Sequence, residues 1–277
     1  MDETFSSIEL ITECMSDTER TTKLVKAIEH AVKEGDTVLD CGTGSAILAL
    51  TAARAGASKV IALEFDPYVA KLAQQNIERN GLQDKVEIIL TDARNVTFPT
   101  GTRFDVVIME MLTTGMVDEY QVWAVNNLHE KGVVDSDTLF VPQRQDTFIT
   151  LANKDFVAQG FEMRMIRHIW SWLPDHGLNF LSDKTLLSSI SFSQKNSVEF
   201  KEIITLPVTE SGVVNSVFFT SVTKLDDELS VGDTLALNAP VVFPLEEDIS
   251  VIAGDTIKLE IAYMFGNGYR NMRIKKL

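Results

Sequence analysis

TVLDCGTGSAILALTAARAG, residues 37–56, is the stretch that decides the fold class. Thr37 to Asp40 reads as a short strand, CGTGS as a glycine-containing turn, and Ala46 to Ala55 as a small-residue helix stopped by Gly56. Strand, tight turn and helix in that order open a doubly wound α/β sheet, in which ligands bind outside the carboxyl ends of the strands. Gly42 and Gly44 let the backbone turn tightly and approach a ligand, and Ala46 is small enough for the next helix to pack close.

The pattern continues on both sides. Residues 17–34 read as a helix, with Leu24, Val25, Ile28 and Val32 at helical spacing and Gly35 as its stop. KVIALE (59–64) is a second strand ending in Glu64, and the helix from Pro67 to about Asn80 closes at Gly81. VEIIL (86–90) runs into Thr91, Asp92 and Ala93. FDVVIME (104–110) is apolar as a central parallel strand should be, and it delivers Glu110 at its end.

After Pro142 the period changes. DTFIT, VEFKEIITLPV, VVNSVFFTSVTKL, DTLALNAPVVF and DTIKLEIAYMF are separated by Gly, Asp, Asn and Pro, as antiparallel strands are. The expected organisation is residues 1–141 as a Rossmann-like α/β domain with an N-terminal helix and 142–277 as a smaller β-rich, barrel-like domain. Residues 155–190, aromatic and partly helical in pattern, fit neither class.

Composition narrows the function. The 277 residues are 45 % hydrophobic, enough for real cores. The formal net charge of −15 repels phosphate backbones, which disfavours nucleic acid, and favours cationic partners. Two cysteines, Cys14 and Cys41, suggest neither a disulfide framework nor a metal cluster. No apolar run reaches the roughly 20 residues of a membrane span, and no signal pattern opens the sequence, so the cytoplasm is the expected compartment, with no membrane partner.

The strand ends carry what an adenosine-containing cofactor needs. Glu64, about 20 residues beyond the glycines, is placed for the two ribose hydroxyls, and Asp92, with Ala93 beside it, for the adenine amine. Asp40 precedes the glycine turn. Dinucleotide binding competes, yet the dinucleotide pattern wants Gly or Ala where this sequence has Ile47.

VLDCGTGSAILALTAARAGASKVIALE, NGLQDKVEIILTDARNV, FDVVIMEML and LFVPQRQDTFI together resemble the protein arginine methyltransferases, class I enzymes that use S-adenosylmethionine. The likeness covers most of residues 13–150 and continues more weakly to the end. Glu110 and Glu119, in EMLTTGMVDE, are similar to the family's glutamate pair, which implies catalytic residues that grip a substrate guanidinium; Glu110 also borders the cofactor. Asp17-Thr18-Glu19-Arg20-Thr21 is similar to the family's D-x-x-R-T segment and implies that Arg20 holds the carboxylate of the cofactor's methionine part. The resemblance further implies a substrate pocket reaching Met111 and Asp17, and leaves a homodimer open as the assembly.

The departures lie on the substrate side. The T-H-W tripeptide of the family falls at Ala236-Leu237-Asn238, so the histidine expected to pair with Asp17 is absent, and the aromatic start of the family's N-terminal helix is reduced to Phe5. The acceptor is therefore expected to be a guanidino group, on protein arginine, free arginine or another small guanidine. The alternatives are an amine, hydroxyl or nucleobase acceptor, or a binding module without catalysis. Met109, Met111 and Met116 flank the glutamates, and RHIWSWLPDHG places His168, Trp170, Trp172 and His176 where they could meet a cation.

Overall fold

The computed structural model describes residues 7–170 and 177–277. Its first part is a five-stranded sheet of β1 (Thr37–Cys41), β2 (Lys59–Glu64), β3 (Val86–Leu90), β4 (Val106–Met109) and β5 (Leu139–Val141). The order is β3-β2-β1-β4-β5 and every pairing is parallel. The order reverses beside β1, the place where open α/β sheets bind ligands. Val38, Leu39, Val107 and Ile108 are wholly buried, as strands covered on both faces require.

Among the described residues five helices accompany this sheet: α1 (Ile8–Ser16), α2 (Thr18–Ala31), α3 (Ile47–Ala55), α4 (Pro67–Arg79) and α5 (Gln121–Lys131). The Asp66 carboxylate accepts from the backbone N–H groups of Tyr68 and Val69 and, with Pro67 in the first turn, starts α4. The region read as one helix over 17–34 is α2, which starts one residue later at Thr18, ends three residues earlier at Ala31, and has α1 as a neighbour. Asp17 ends α1 and caps α2 through Arg20 N–H at 3.0 Å, so the chain bends there.

The sheet class changes between Val141 and Arg144. Beyond that point a seven-stranded antiparallel sheet contains Arg144–Lys154, Gly212–Lys224 and Val241–Val251, and a three-stranded one contains Glu199–Pro207, Thr256–Met264 and Arg273–Lys276. Two expectations need correcting. DTLALNAPVVF is a strand only from Val241, because Asn238 takes a left-handed backbone (φ 57°) and its buried amide donates to Val231 O, Gly232 O and Thr223 Oγ1, which ties residues 234–240 into a loop. Among the described residues of 155–190 there is no helix, only short strands such as Arg167–His168 and the longer Thr185–Ser191.

Candidate functional site

The carboxyl ends of β1, β2 and β4 open onto one cavity of about 700 Å³. Gly42 (φ 73°) and Gly44 (φ 52°) carry the chain from β1 to α3 in left-handed conformations, and a Cβ on Gly42 would stand 3.0 Å from Met111 Cγ and Sδ. Ala46 is also left-handed (φ 68°), a conformation that strains a residue carrying a Cβ. Asp40 lies beneath the loop. Its carboxylate accepts from Thr43 Oγ1 at 2.6 Å, and burial, reinforced by Glu64, pushes its pKa up to about 7 against that bond.

Glu64 closes β2 and accepts from Gly44 N–H at 3.0 Å, Phe65 N–H at 2.9 Å and Asp66 N–H at 3.1 Å. Burial raises its pKa and those three donors oppose the rise. Asp92, expected to accept from the adenine amine, is held by its neighbour Arg94. Arg94 Nε donates to both its oxygens at 3.0 and 2.9 Å and Nη2 to Oδ2 at 2.5 Å, which lowers the Asp92 pKa although burial works the other way. The same guanidinium lies over the Tyr120 ring, 3.9 Å from its centroid.

Glu110 emerges from β4 and forms an ion pair with Arg20 of α2; both side chains are 7 % exposed. Arg20 Nη1 also donates to Cys14 O at 3.3 Å, but its Nε is buried without an acceptor. Glu119 reaches the same cavity with Oε2 buried and unpartnered, and burial lifts its pKa to about 8, against the pull of Arg20. The loop between the two glutamates is braced by the antiparallel part: Ser221 Oγ accepts from Gly115 N–H at 3.0 Å, Tyr263 donates to Gly115 O at 2.9 Å, and Thr114 donates to Ala239 O at 2.8 Å.

Arg20, Gly42, Gly44, Glu64, Asp92, Ala93, Glu110, Met111 and Glu119, scattered over a hundred residues of sequence, all line this cavity. Asp40 and Asp17 do not. Asp17 is 3 % exposed, and its Oδ2 accepts from Thr234 Oγ1 and, at 2.8 Å, from Ala236 N–H, so it fastens the loop expected to hold the histidine rather than facing a substrate. Met109 and Met116 are core; only Met111 of that trio faces the cavity. His168 and Trp170 line it, while Trp172 and His176 lie outside the described residues.

Sequence reading missed the contribution of α1, whose Leu10, Ile11 and Cys14 wall the cavity. Ser7 before IELITEC was an available signal, since its hydroxyl accepts from Leu10 N–H at 3.2 Å as a helix cap. It also missed Arg94 and Gln121, polar residues that act on Asp92 and on the backbone around Glu110.

The family model described as ribosomal protein L11 methyltransferase (PrmA) matches residues 17–173. An uncharacterised protein of Methanocaldococcus jannaschii is 32 % identical, over 94 % of this chain and 93 % of that protein. A Streptomyces achromogenes arginine N(omega)-methyltransferase is 27 % identical over 90 % of this chain and 74 % of its own length. Among solved structures, the Trypanosoma brucei PRMT1 enzyme-prozyme heterotetrameric complex with AdoHcy aligns with a TM-score of 0.77 at 16 % identity, covering 99 % of this chain and 98 % of that one. The chain thus belongs to the class I, S-adenosylmethionine-dependent methyltransferases, in the family that the ribosomal protein L11 methyltransferase model describes, and it is built on the protein arginine methyltransferase plan.

Proposed function

We propose that this enzyme methylates a guanidino nitrogen, on protein-bound or free arginine or a related small guanidine. The observation that carries the reading is Glu119: a buried carboxylate oxygen without a partner, in the same cavity as Glu110, is an acceptor waiting for a donor. A guanidinium stays protonated at ordinary pH and presents a planar fork of donors that two carboxylates can hold. The name of the Streptomyces relative supports an arginine acceptor.

The cofactor side fits an adenosyl sulfonium with an amino-acid tail. Arg20, with a buried unsatisfied Nε, has capacity for a carboxylate; Gly42 and Gly44 give backbone access; Glu64 would take the ribose hydroxyls; Asp92 and Ala93 would border the adenine. Asp40 supports this end from below the loop. Bound S-adenosylmethionine supplies an electrophilic methyl group. Glu110 and Glu119 orient the acceptor nitrogen and draw its positive charge away from the attacking atom, so that most of the rate comes from orientation and fixed charge. That nitrogen must shed one proton, and Glu119, ionised when it faces the guanidinium, lines the same cavity and is placed to take it.

Residues 1–141 form the cofactor-binding unit in this reading, and 142–277 brace the acceptor side and carry self-association. Phe161 and Met165, 70 % and 61 % exposed, offer an apolar surface for a homodimer. The cytoplasm suits an enzyme whose two cysteines are both free thiols. Incubation with isotope-labelled S-adenosylmethionine and, separately, free arginine, other guanidines and a protein extract tests the reading by mass spectrometry. Label on a guanidino nitrogen that is lost in Glu110→Gln is expected; an unchanged rate in that variant refutes the glutamate clamp.

A further inference from the structure

The lining of the cavity includes Asp118 and Glu119 and also His168 and Trp170. The His168 and Trp170 rings are stacked, with centroids 5.5 Å apart and planes 18° from parallel. His168 also meets Tyr269 edge-on at 5.7 Å, and Tyr269 lies beside the Asp118 carboxylate, so the stacked pair is tied to the loop that carries Glu119. From behind, the segment is fixed by a strand pairing that sets His168 opposite Val241, and by Ile169 N–H donating to Pro240 O at 2.7 Å.

We propose that His168 and Trp170 form the wall on which the acceptor's planar cation stacks, making them the residues that select a guanidinium over a tetrahedral ammonium. The inference rests on the guanidino reading and deepens it. A guanidinium held edge-on by carboxylates leaves both its faces free, and an aromatic face is the complementary surface for them. An ammonium has no such faces and gains less from a flat wall. Burial lowers the His168 pKa, so at neutral pH the imidazole presents a ring rather than a repelling charge.

The test compares Trp170→Ala, Trp170→Phe and His168→Ala with the unmodified enzyme, on argininamide and on a primary-amine analogue of equal length. Trp170→Ala should raise the KM for argininamide about tenfold, the size of a desolvated cation–π contact. Trp170→Phe should restore most of the loss, and His168→Ala should lower the preference for argininamide over the amine. Affinity for S-adenosylhomocysteine should stay within about twofold in all three, which separates a wall from a folding defect. If the unmodified enzyme methylates argininamide and Trp170→Ala and His168→Ala leave its KM and its preference unchanged, the wall is refuted and the guanidino reading stands. If the unmodified enzyme methylates no guanidine, both fall together.

Discussion

Gln121 brackets Glu110: its Nε2 donates to Met109 O at 2.6 Å and its Oε1 accepts from Met111 N–H at 3.0 Å, the peptide groups on either side of the glutamate. Gln121 is wholly buried at the start of α5, one residue after Tyr120, whose ring carries Arg94, and two after Glu119. A single amide thus couples the end of β4 to the helix that begins where the second glutamate sits. Gln121→Leu keeps the volume and removes both bonds, leaving a buried carbonyl and N–H unpaired. We expect about 1–3 kcal/mol of lost stability, a clear fall in kcat, and little change in cofactor affinity. Calorimetry and single-turnover kinetics check this; an unchanged kcat in the folded variant would show that Glu110 needs no such bracket.

The parallel sheet was legible because its signals are local: apolar strands, glycines such as Gly42, Gly56 and Gly81 at turns of positive φ, and an acid at the strand ends. KVIALE and VEIIL match β2 and β3 residue for residue. The antiparallel half was less so, because its boundaries depend on distant partners. Nothing local in NAPVVF says that the Asn238 amide will bind three oxygens and hold the chain off the sheet until Val241. The same holds at the site. Glu64 and Glu110 announce themselves by following apolar strands, but the turning of Asp17 toward Thr234 and Ala236 is a tertiary fact, and the Arg94 grip on Asp92, only two residues away, is accompanied by a contact of the same guanidinium with the distant Tyr120 ring.

The glycine loop gives a second prediction. Gly42→Ala puts a side chain at φ 73° and 3.0 Å from Met111, a residue that lines the cavity. The strain is on the order of 1 kcal/mol, and the Met111 side chain, which lines the cavity proposed for the cofactor, must move. S-adenosylhomocysteine should bind about tenfold more weakly by calorimetry. Equal affinity would mean that the backbone there does not approach the ligand.

Glu119 predicts a pH dependence of stability. Folded, it keeps its proton up to about pH 8, whereas an ordinary glutamate releases it near 4.5, so between those values the native state binds more protons than the unfolded one. The contribution of Glu119 to stability is then fully present below about pH 4.5 and declines as pH rises toward 8; Asp40, raised from 3.8 to about 7, adds to the decline over its own window. Glu119→Gln removes one part of it. The variant and the unmodified enzyme should be equally stable near pH 5 and diverge by at most about 3 kcal/mol near pH 7, with the variant the more stable. A gap that does not widen with pH would place Glu119 in a more polar setting than its burial implies.

The charges lining the cavity predict which guanidines are preferred. Among the described residues its lysine and arginine cations are Arg20 and Arg94, paired with Glu110 and Asp92, and residues 171–176, SWLPDH, contain neither Lys nor Arg. If Arg20 takes the carboxylate of the cofactor's methionine part and Arg94 stays on Asp92, an α-carboxylate on the acceptor meets no further lysine or arginine among the described lining residues and faces Asp118 and Glu119 instead. An unpaired carboxylate there costs on the order of 1–3 kcal/mol. Argininamide should therefore show a KM about tenfold or more below that of free arginine, with a similar kcat, because the guanidino end is unchanged. Equal KM values would mean that the α end of the acceptor lies in solvent, beyond the reach of these carboxylates.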